Sequence, residues 1–389
     1  MYDRWMRVLV ITPWWPTCDQ PRSAPFMVHD VGLLSDEGDV VVLHLDARAT
    51  KIERSNYPQE FRVVRVPFDQ SKPWTWPRAA MEVRKLSKAA GAVHTMAMAA
   101  LLPTFLAKTG KPWVHTEHYS LLVAENATQR QRRALRFLSA LLRFPDHIVT
   151  VGKALADAVG PHTECPVSTV PNYVMTNRVA AQRELRVLTA GDPIRMIGVG
   201  GLIDRKGPIE AVDALADLRR RGYDATLTWA GEGPLREKVE EHAEALGVAD
   251  ELDLVGSVPS DTLSRALATS DVFVLPTENE TFGVALAEAL GHGLPVVTSG
   301  VGGHLEFLPE RGSRVVSARN GATLADAVEE LLSDPNRLSP METFDLAESL
   351  FSPPARREGY RQAYRSALAS GGKSDRCAGS LGRMEAIDE

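Results

Sequence analysis

Short apolar runs alternate with longer amphipathic stretches along most of the chain, which predicts parallel strands joined by crossover helices. In the amino half, such runs fall at 6–12, 39–45, 61–66, 92–96, 112–116, 147–151 and 168–171. The pattern begins again in the carboxyl half, with runs at 194–201, 225–231, 251–256, 271–276, 294–299 and 313–318. Two successive doubly wound α/β units are the simplest architecture for this pattern.

The length of the chain agrees with two domains, because 389 residues exceed what one hydrophobic core usually holds. The polar stretch 176–193 lacks a clear strand, so we expect the interdomain linker there. The domains are then expected at about 1–180 and 190–350. The Gly/Ser-rich, charged segment 371–389 is expected to be a disordered tail.

Composition narrows the class of protein. An apolar content of 44% and a charged content of 24% are ordinary for a globular domain, and a net charge of −6 gives no reason to expect a nucleic-acid partner. No run reaches eighteen apolar residues, and the amino terminus lacks the pattern of a signal peptide. Three widely spaced cysteines fit a reducing compartment, so a cytoplasmic location is expected.

The segment after the run 271–276 is the most informative part of the chain. Polar loop residues follow this strand, and Phe282, Leu286 and Leu290 then recur at helical spacing until glycines end the helix. Glu280 is therefore expected on the loop at the carboxyl end of a strand, and Glu288 about two turns into the helix.

This placement suggests a ligand site. In open α/β sheets, ligands bind outside the carboxyl ends of the strands, where a helix amino terminus favours phosphate. Glu280 beside a bound anion and Glu288 further along the groove would suit a sugar nucleotide. The alternative is that the two glutamates are a solvated helix cap and a surface charge.

A glycine turn between a predicted strand and a helix lies about 75 residues upstream. It cannot be a dinucleotide fingerprint, because Ile203 stands where the third glycine should be. Lys206 opens the helix beside glycines that let the backbone approach a ligand, so its ammonium could neutralise a leaving diphosphate. Arg205 could share the charge, although its side chain is expected to point elsewhere. The alternative is a lysine on a solvated turn.

With these residues in view, the carboxyl half resembles glycosyltransferase family 4 over nearly all of 194–309. The similar segments, in order, are GGLIDRKG, GEGPLREKVEEHAEALG, DLVGSVPSDTLSRALATSDVFVLPT and ENETFGVALAEALGHGLPVVTSGVGG. The last segment has the family's signature of two glutamates separated by seven residues. The amino half is similar in MRVLVITPWWP, PWVHTEHYSLL and VPNYV.

The resemblance implies an α/β chain with the GT-B fold, in which two Rossmann-like domains with parallel sheets face each other across a cleft. Domain 1–180 would bind the acceptor and domain 190–350 the nucleotide-sugar donor. The segment 351–368 is similar to the terminal helix that crosses back onto the first domain, so a crossover helix is expected at about 354–370.

The resemblance also implies roles for single residues. Glu280 would meet the donor sugar near the reacting carbon, Lys206 would bind the diphosphate, and His118 would face the sugar from the amino domain. Glu288 would hold the ribose hydroxyls. Sugar hydroxyls and phosphate would also meet the backbone amides at the helix start, those of Phe282, Gly283 and Val284.

The sequence departs from the family pattern at two places. Gly201 occupies the donor-site position where an arginine often stands, so one cation is missing, and Arg205 or Arg22 is a candidate to replace it. The first loop, PTCDQPRSAPF, lacks the usual glycine pair.

The implied function is retaining, metal-independent transfer of a hexose-type sugar from a nucleoside diphosphate to a glycan, a lipid or a small natural product. No cofactor and no metal site are expected: the chain contains no Asp-x-Asp pair, and His115 and His118 lack an apparent third ligand. Two alternatives remain, a nucleotide-sugar epimerase or hydrolase and a non-catalytic nucleotide-sugar-binding protein.

The segment 129–144 combines five arginines with six large apolar residues. Such a basic amphipathic helix can lie on an anionic membrane, which would suit a lipid acceptor and a peripheral position at the inner membrane face. The alternative is that its apolar side packs into the first domain while the arginines are solvated.

Overall fold

The computed structural model describes residues 5–20, 24–57, 61–118, 135–189 and 191–370. The chain divides into two compact units, Met1–Tyr173 with Pro353–Glu389, and Val174–Ser352. The linker expected at 176–193 is misplaced, because Asn177 donates its amide to the Gly291 carbonyl and Leu188 donates to Leu332 within the second unit. The expected tail at 371–389 lies outside the described residues.

The first unit contains an eight-stranded sheet of order β3-β4-β2-β1-β5-β6-β7-β8, in which only the short edge strand β3 pairs antiparallel. All seven runs predicted in the amino half are strands, and β3 is the strand that the pattern missed. The strands are β1 Trp5–Thr12, β2 Gly38–Asp46, β3 Glu53–Ser55, β4 Arg62–Pro67, β5 Ala92–Met96, β6 Trp113–Glu117, β7 His147–Thr150 and β8 Val167–Thr169.

Helices cover both faces of this sheet. Leu9 and Ile11 face one core, which α2, α3 and the helical segment 135–143 complete, whereas Val8 and Val10 face a second core with α1. A strand buried on both faces needs apolar residues at successive positions, which explains the continuous runs in the sequence. The helices before Val174 are α1 Pro25–Ser35, α2 Trp76–Ser87, α3 Leu101–Ala107 and α4 Lys153–Val159, with 3₁₀ turns at Pro73–Thr75, Met98–Ala100, Ala140–Arg143 and Gly160–His162.

The second unit has a six-stranded parallel sheet of order β11-β10-β9-β12-β14-β16 and a two-stranded sheet of β13 and β15. The six predicted runs all form strands of the larger sheet. The strands are β9 Pro193–Val199, β10 Asp224–Ala230, β11 Leu252–Gly256, β12 Val272–Leu275, β13 Asn279–Glu280, β14 Val296–Ser299, β15 Val301–Gly302 and β16 Ser313–Val316.

The helices of the second unit follow its strands along the chain. They are α5 Arg178–Ala181, α6 Pro208–Arg220, α7 Arg236–Leu246, α8 Ser260–Thr269, α9 Val284–Leu290, α10 Gly321–Ser333 and α11 Pro340–Phe351, with 3₁₀ turns at Asp204–Lys206, Ala249–Glu251 and Gly303–Glu306. Among the described residues, no helix has the length and apolar character needed to cross a membrane.

The last helix, α12 Pro353–Ala369, belongs to the first unit, where the sequence places a crossover helix. Its fully buried Arg356 forms two hydrogen bonds with Asp30 of α1, at 2.5 and 2.6 Å, and donates to the carbonyls of Val170 and Pro171. Tyr360 donates to the same carboxylate at 2.9 Å. Burial alone would raise the pKa of Asp30, but the charge and hydrogen bonds of Arg356 outweigh it and lower the pKa.

We expect Arg356→Met to destabilise the first unit strongly, because the Asp30 carboxylate would remain buried without its cation. Removing one partner of a buried pair typically costs about 3–5 kcal/mol of unfolding free energy. Arg365→Met on the same helix is the matched control, since that side chain is 71% exposed, and it should cost less than about 0.5 kcal/mol. Urea denaturation of the full chain measures both. Equal losses of unfolding free energy for the two substitutions would show that the buried pair does not contribute more to stability than an exposed arginine.

Candidate active site

The predicted phosphate turn and the predicted glutamate loop follow two neighbouring strands of the second sheet. β9 is flanked by β10 on one side and by β12 on the other, so the strand order reverses between β9 and β12. Ligands of open α/β sheets bind outside the carboxyl ends of the strands at such a reversal. The segments 200–207 and 276–283 both begin there.

Gly207 lets these two segments touch. Its φ is +72°, and a Cβ atom at this position would lie 2.3 Å from the Pro276 carbonyl oxygen. Only glycine tolerates both the left-handed conformation and this approach. The Glu278 amide donates to the Arg205 carbonyl at 2.8 Å, which joins the two segments directly.

Polar side chains of both segments lie around the Glu280 carboxylate. Lys206 Nζ donates to Glu280 Oε1, Thr277 Oγ1 donates to the same oxygen at 3.0 Å, and Arg205 Nη1 lies 3.6 Å from it. The carboxylate is buried, whereas the Arg205 side chain is 40% exposed. Lys206 and Glu280, 74 positions apart, therefore form one charged cluster with two cations and one anion.

The expectation that Arg205 points away from this cluster is wrong. Its guanidinium donates to the Asn279 carbonyl at 2.7 Å, which turns it towards Glu280. Gly201 lies on the same segment, and a Cβ there would meet only the Glu232 carbonyl oxygen at 3.5 Å and Ile203 at 3.9 Å. Arg205 thus brings a second cation to the cluster, and Arg22, the other candidate, lies outside the described residues.

The two-stranded sheet fixes the backbone of Glu280. Asn279 pairs with Val301 and Glu280 with Gly302, and a Cβ on Gly302 would lie 2.0 Å from the Glu280 carbonyl oxygen. Gly302 has a φ of +127°, so the pairing depends on glycine. The short length of β13 and β15, two residues each, explains why periodicity did not reveal them.

Two further residues of this region were not singled out from the sequence. Thr277 is the first polar residue after β12 and bonds Glu280, as described above. Arg319 donates to Glu278 Oε1 at 2.9 Å and to the Asp204 carbonyl at 2.7 Å, and it pairs with Glu210 at 2.8 Å. Arg319 thereby ties the segment of Lys206 to the segment of Glu280 from outside. The position of Thr277 in the loop was a usable signal, whereas nothing local marks Arg319.

The helix after this loop begins later than expected. α9 starts at Val284 with Gly283 as its N-cap (φ +87°), so Phe282 precedes the helix and Glu288 lies little more than one turn into it. The Phe282 side chain is buried against Phe307 and Phe351. Among the described residues, the amides of Phe282, Gly283 and Val284 donate no backbone hydrogen bond outside the regular hydrogen bonds of helices and strands.

Glu288 differs from Glu280 in its surroundings. Its carboxylate is half-buried and forms neither a hydrogen bond nor an ion pair with the described residues. Burial raises the pKa of Glu288 to about 7. The two glutamates of the signature are therefore one carboxylate compensated by cations and one that has no partner among the described residues.

A second glycine turn packs against the Lys206 segment. A Cβ at Gly231 would lie 1.9 Å from the Gly200 carbonyl oxygen, and one at Gly233 would lie 2.3 Å from that of Leu202. Trp229 donates its indole N–H to the Gly200 carbonyl at 2.9 Å. These contacts hold the glycine-rich backbone at the end of β9 in place.

His118 lies in the first unit, at the end of β6. Its side chain is 4% exposed, Nε2 has no hydrogen-bond partner among the described residues, and Asp30 Oδ2 is 3.9 Å away. Burial lowers the pKa of His118 to about 4, and the Asp30 charge opposes this only partly. His118 is thus a neutral imidazole at neutral pH, and its Nε2 has no partner among the described residues.

His115 has a structural role in the sheet of the first unit. It is fully buried, Nδ1 bonds Thr95 Oγ1 at 2.9 Å, and Nε2 bonds Glu117 Oε2 at 3.1 Å. Both ring nitrogens are therefore occupied within the sheet. No group of three potential metal ligands occurs in the described ranges.

The family assignment follows from two profiles that together span most of the chain. "Glycosyltransferase Family 4" matches residues 31–178, and "Glycosyl transferases group 1" matches residues 183–343. The chain belongs to glycosyltransferase family 4. The resemblance seen in the sequence is therefore confirmed, and the segments of the candidate site lie inside the second profile.

Curated relatives of this family 4 chain include a GDP-mannose-dependent α-(1-6)-phosphatidylinositol monomannoside mannosyltransferase of Mycobacterium tuberculosis. It is 34% identical over 199 residues, which cover 48% of this chain and 51% of the relative. A 2-deoxystreptamine glucosyltransferase of Streptomyces kanamyceticus is 30% identical over 54% of this chain and 55% of its own length. The matches thus span about half the length of these relatives.

Solved structures support the fold over almost the whole family 4 chain. A sucrose-phosphate synthase of Thermosynechococcus elongatus gives a TM-score of 0.68 at 19% identity and covers 94% of this chain and 99% of its own. HepE of Anabaena in complex with UDP gives 0.72 at 15% identity, covering 94% and 100%. The two parallel-sheet units and these neighbours confirm the predicted GT-B fold class.

The raised pKa of Glu288 predicts how the stability of the fold depends on pH. The pKa of its carboxyl is about 7 in the folded chain and near 4.5 when exposed, so the folded state binds more protons between these values. The stability that the protonated form contributes is complete below about pH 4.5 and is lost as pH rises through about 7. Glu288→Gln should therefore gain roughly 1–3 kcal/mol over the wild type between pH 5 and pH 8.

Thermal unfolding of both proteins across this pH range provides the measurement. Glu244→Gln, an exposed position on α7, is the control for an equal change in charge. A difference between Glu288→Gln and wild type that stays constant from pH 5 to pH 8 would contradict the raised pKa.

Proposed function

We propose that this family 4 protein is a retaining, metal-independent glycosyltransferase that moves a sugar from a nucleoside-diphosphate sugar to an acceptor. The observation that carries the proposal is the cluster of Lys206, Arg205 and Glu280 at the strand reversal between β9 and β12. A sugar pyrophosphate offers anionic oxygens and hydroxyls side by side, and this cluster offers cations and a carboxylate side by side.

Lys206 would stabilise the departing diphosphate. An ammonium has three donors, and Glu280 engages one of them in the free protein, so two remain for phosphate oxygens. Arg205 would add a second cation and so replace the arginine that often stands at the position of Gly201 in this family. The charge of the leaving group would thus be balanced by side chains, which is why we propose that no divalent metal is needed.

Glu280 would act on the sugar. Glycosyl transfer passes through an oxocarbenium-like transition state, in which positive charge develops at the reacting carbon. Glu280 is anchored by Thr277 and by the pairing of β13 with β15, so its position is set before the donor binds. A preorganised carboxylate stabilises the developing charge without reorganisation.

Glu288 would bind the ribose of the donor. Two ribose hydroxyls can donate to one carboxylate, and Glu288 has no competing partner among the described residues. Because such hydrogen bonds favour the ionised carboxylate, donor binding would lower the pKa of Glu288. The amides of Phe282, Gly283 and Val284 would add hydrogen bonds to phosphate and sugar.

His118 would contribute from the acceptor-binding unit. As a neutral imidazole with an unused Nε2, it can exchange hydrogen bonds with a sugar hydroxyl without introducing charge. The family resemblance implies that this residue meets the sugar of the bound donor. Retention of anomeric configuration and a cytoplasmic location are proposed from membership of the family.

The relatives suggest the classes of donor and acceptor. The mycobacterial relative is named for GDP-mannose and a phosphatidylinositol monomannoside, and the Streptomyces relative for glucosyl transfer to 2-deoxystreptamine. We propose a hexose donor and an acceptor hydroxyl on a lipid, a glycan or a small natural product.

A panel of nucleotides tests the donor site. Isothermal titration with UDP, GDP, ADP and dTDP, and with their common sugars, should give binding to at least one nucleoside diphosphate. Lys206→Met should weaken that binding by about 10- to 100-fold, because a charge-assisted contact with phosphate is lost. Lys238→Met removes a cation from α7 and is the control. No binding to any diphosphate would refute the proposal.

Glu280→Gln tests the catalytic assignment. We expect kcat to fall by about 10²- to 10³-fold while donor affinity changes less than about tenfold, because the carboxylate acts mainly in the transition state. Product formation from the best donor and a pooled acceptor extract, followed by mass spectrometry, measures kcat. Glu310→Gln, at an exposed turn, should retain full activity.

Three outcomes would contradict the assignment. Full turnover of Glu280→Gln would remove the carboxylate from the mechanism. Complete consumption of the donor without acceptor would indicate an epimerase or a hydrolase instead. Tight donor binding without turnover in any acceptor extract would indicate a binding protein.

A further inference from the structure

Helix α2 and the turn before it present a stripe of apolar and basic residues to solvent. Arg78, Met81, Lys85 and Lys88 are spaced by three, four and three residues, which places them within about 80° around the helix axis, and Trp74 precedes them in the 3₁₀ turn Pro73–Thr75. Trp74 is 74% exposed and Met81 is 63% exposed. The opposite side of the helix carries the buried residues Ala79, Ala80, Val83 and Ser87.

The cations of this stripe are poorly neutralised. Arg78 and Lys88 form no ion pair with the described residues, and Lys85 approaches Glu82 at 3.7 Å; Arg84, outside the stripe on the same helix, is also without an ion pair among the described residues. Glu82 is the single acidic residue of α2, and its side chain is 13% exposed. The exposed surface of the helix is thus both strongly basic and apolar.

Two neighbouring helical elements on the same face of the sheet also expose apolar and basic residues. α3 packs beside α2 and exposes Leu106 and Lys108. The helical segment 135–143 contacts α3 and exposes Arg136 and Phe137, the latter by 50%. All three elements cover the same face of the sheet, because their buried residues share one core.

This exposed surface differs from the membrane-contacting segment expected from the sequence, which is 129–144. Residues 129–134 lie outside the described residues, and Leu138, Leu141 and Leu142 are buried in the domain core. The packed alternative is therefore correct for these leucines. The exposed apolar surface belongs mainly to α2.

We propose that the stripe of α2 is a docking surface for an anionic bilayer. Tryptophan and methionine would enter the interface between headgroups and acyl chains, while the lysines and arginines on the same stripe would contact lipid phosphates. Apolar and basic side chains that share one stripe suit the surface of a bilayer, where acyl chains lie beneath anionic headgroups. The surface belongs to the first unit and its function does not depend on the donor site.

Charge complementarity favours a bilayer over a second copy of the chain. A second copy carries the same basic stripe, so two such surfaces would repel each other. An acidic protein could also match the charge, and absence of binding to anionic vesicles is the outcome that would favour it. Binding to a bilayer should depend on both residue classes, because the apolar side chains enter the interface while the cations contact headgroup phosphates.

Vesicle co-sedimentation of the full chain tests this proposal. The protein should bind vesicles of phosphatidylcholine containing about one third phosphatidylglycerol at about 50 mM salt, and binding should fall steeply at about 500 mM. Pure phosphatidylcholine vesicles should bind at least about tenfold less. Sedimentation without lipid, which would show self-association, would overturn the proposal.

Two sets of substitutions locate the surface. Arg78→Gln, Lys85→Gln and Lys88→Gln together should reduce anionic vesicle binding by roughly 100-fold, and Trp74→Ser with Met81→Ser by at least about tenfold. The matched control, Arg357→Gln with Arg361→Gln and Arg365→Gln, removes equal charge from α12 on the opposite face of the sheet. It should change binding less than about threefold.

All variants should keep nucleotide affinity and the far-ultraviolet circular dichroism of the wild type, which separates loss of docking from misfolding. Equal losses in the α2 and α12 variants would mean that net charge alone drives binding. Absence of wild-type binding to anionic vesicles at low salt would refute the docking surface, while leaving the donor site untouched.

Discussion

The Glu280 carboxylate is the point on which the second unit's candidate site depends. It neutralises Lys206 and accepts from Thr277, and Arg205 lies close enough to share the charge. These groups come from two loops that follow adjacent strands, so the carboxylate joins both sides of the strand reversal. Without an anion here, the cations of Lys206 and Arg205 would repel each other at short range. A diphosphate placed beside the cluster would extend a charge balance that already exists.

Glycines make that arrangement possible, and side chains then stabilise it. Gly207 lets the Lys206 turn contact Pro276, and Gly302 lets β15 pair with Glu280. Arg319 braces the same two segments from the far side. The geometry of the cluster is thus determined by backbone approach, and its charges are held within a framework that the free protein already possesses.

The sequence predicts the larger elements well, because strands buried on both faces must be continuous apolar runs. The runs at β9 and β12, and the loops behind them, located Lys206 and Glu280. Features with no periodic signal were missed: the edge strand β3, the two-residue strands β13 and β15, and the brace by Arg319. The polar stretch 176–193 misled the placement of the linker, since a polar segment can pack on a domain without forming a strand, as the hydrogen bonds of Asn177 and Leu188 show. The direction of Arg205 depends on a carbonyl 74 residues away, which no local pattern contains.

The contrast between the two signature glutamates is an argument for a divided role. Identical side chains eight residues apart lie in different electrostatic environments: Glu280 is surrounded by cations and a hydroxyl, whereas Glu288 is half-buried, has no partner among the described residues and has its pKa raised to about 7 by burial. A carboxylate that must stay charged beside a developing cation needs compensation before the substrate arrives. A carboxylate that binds neutral hydroxyls needs only to be accessible to them. The hydrogen bonds that the hydroxyls donate then favour its ionised form. This difference in environment supports the proposal that Glu280 acts on the sugar while Glu288 binds the ribose.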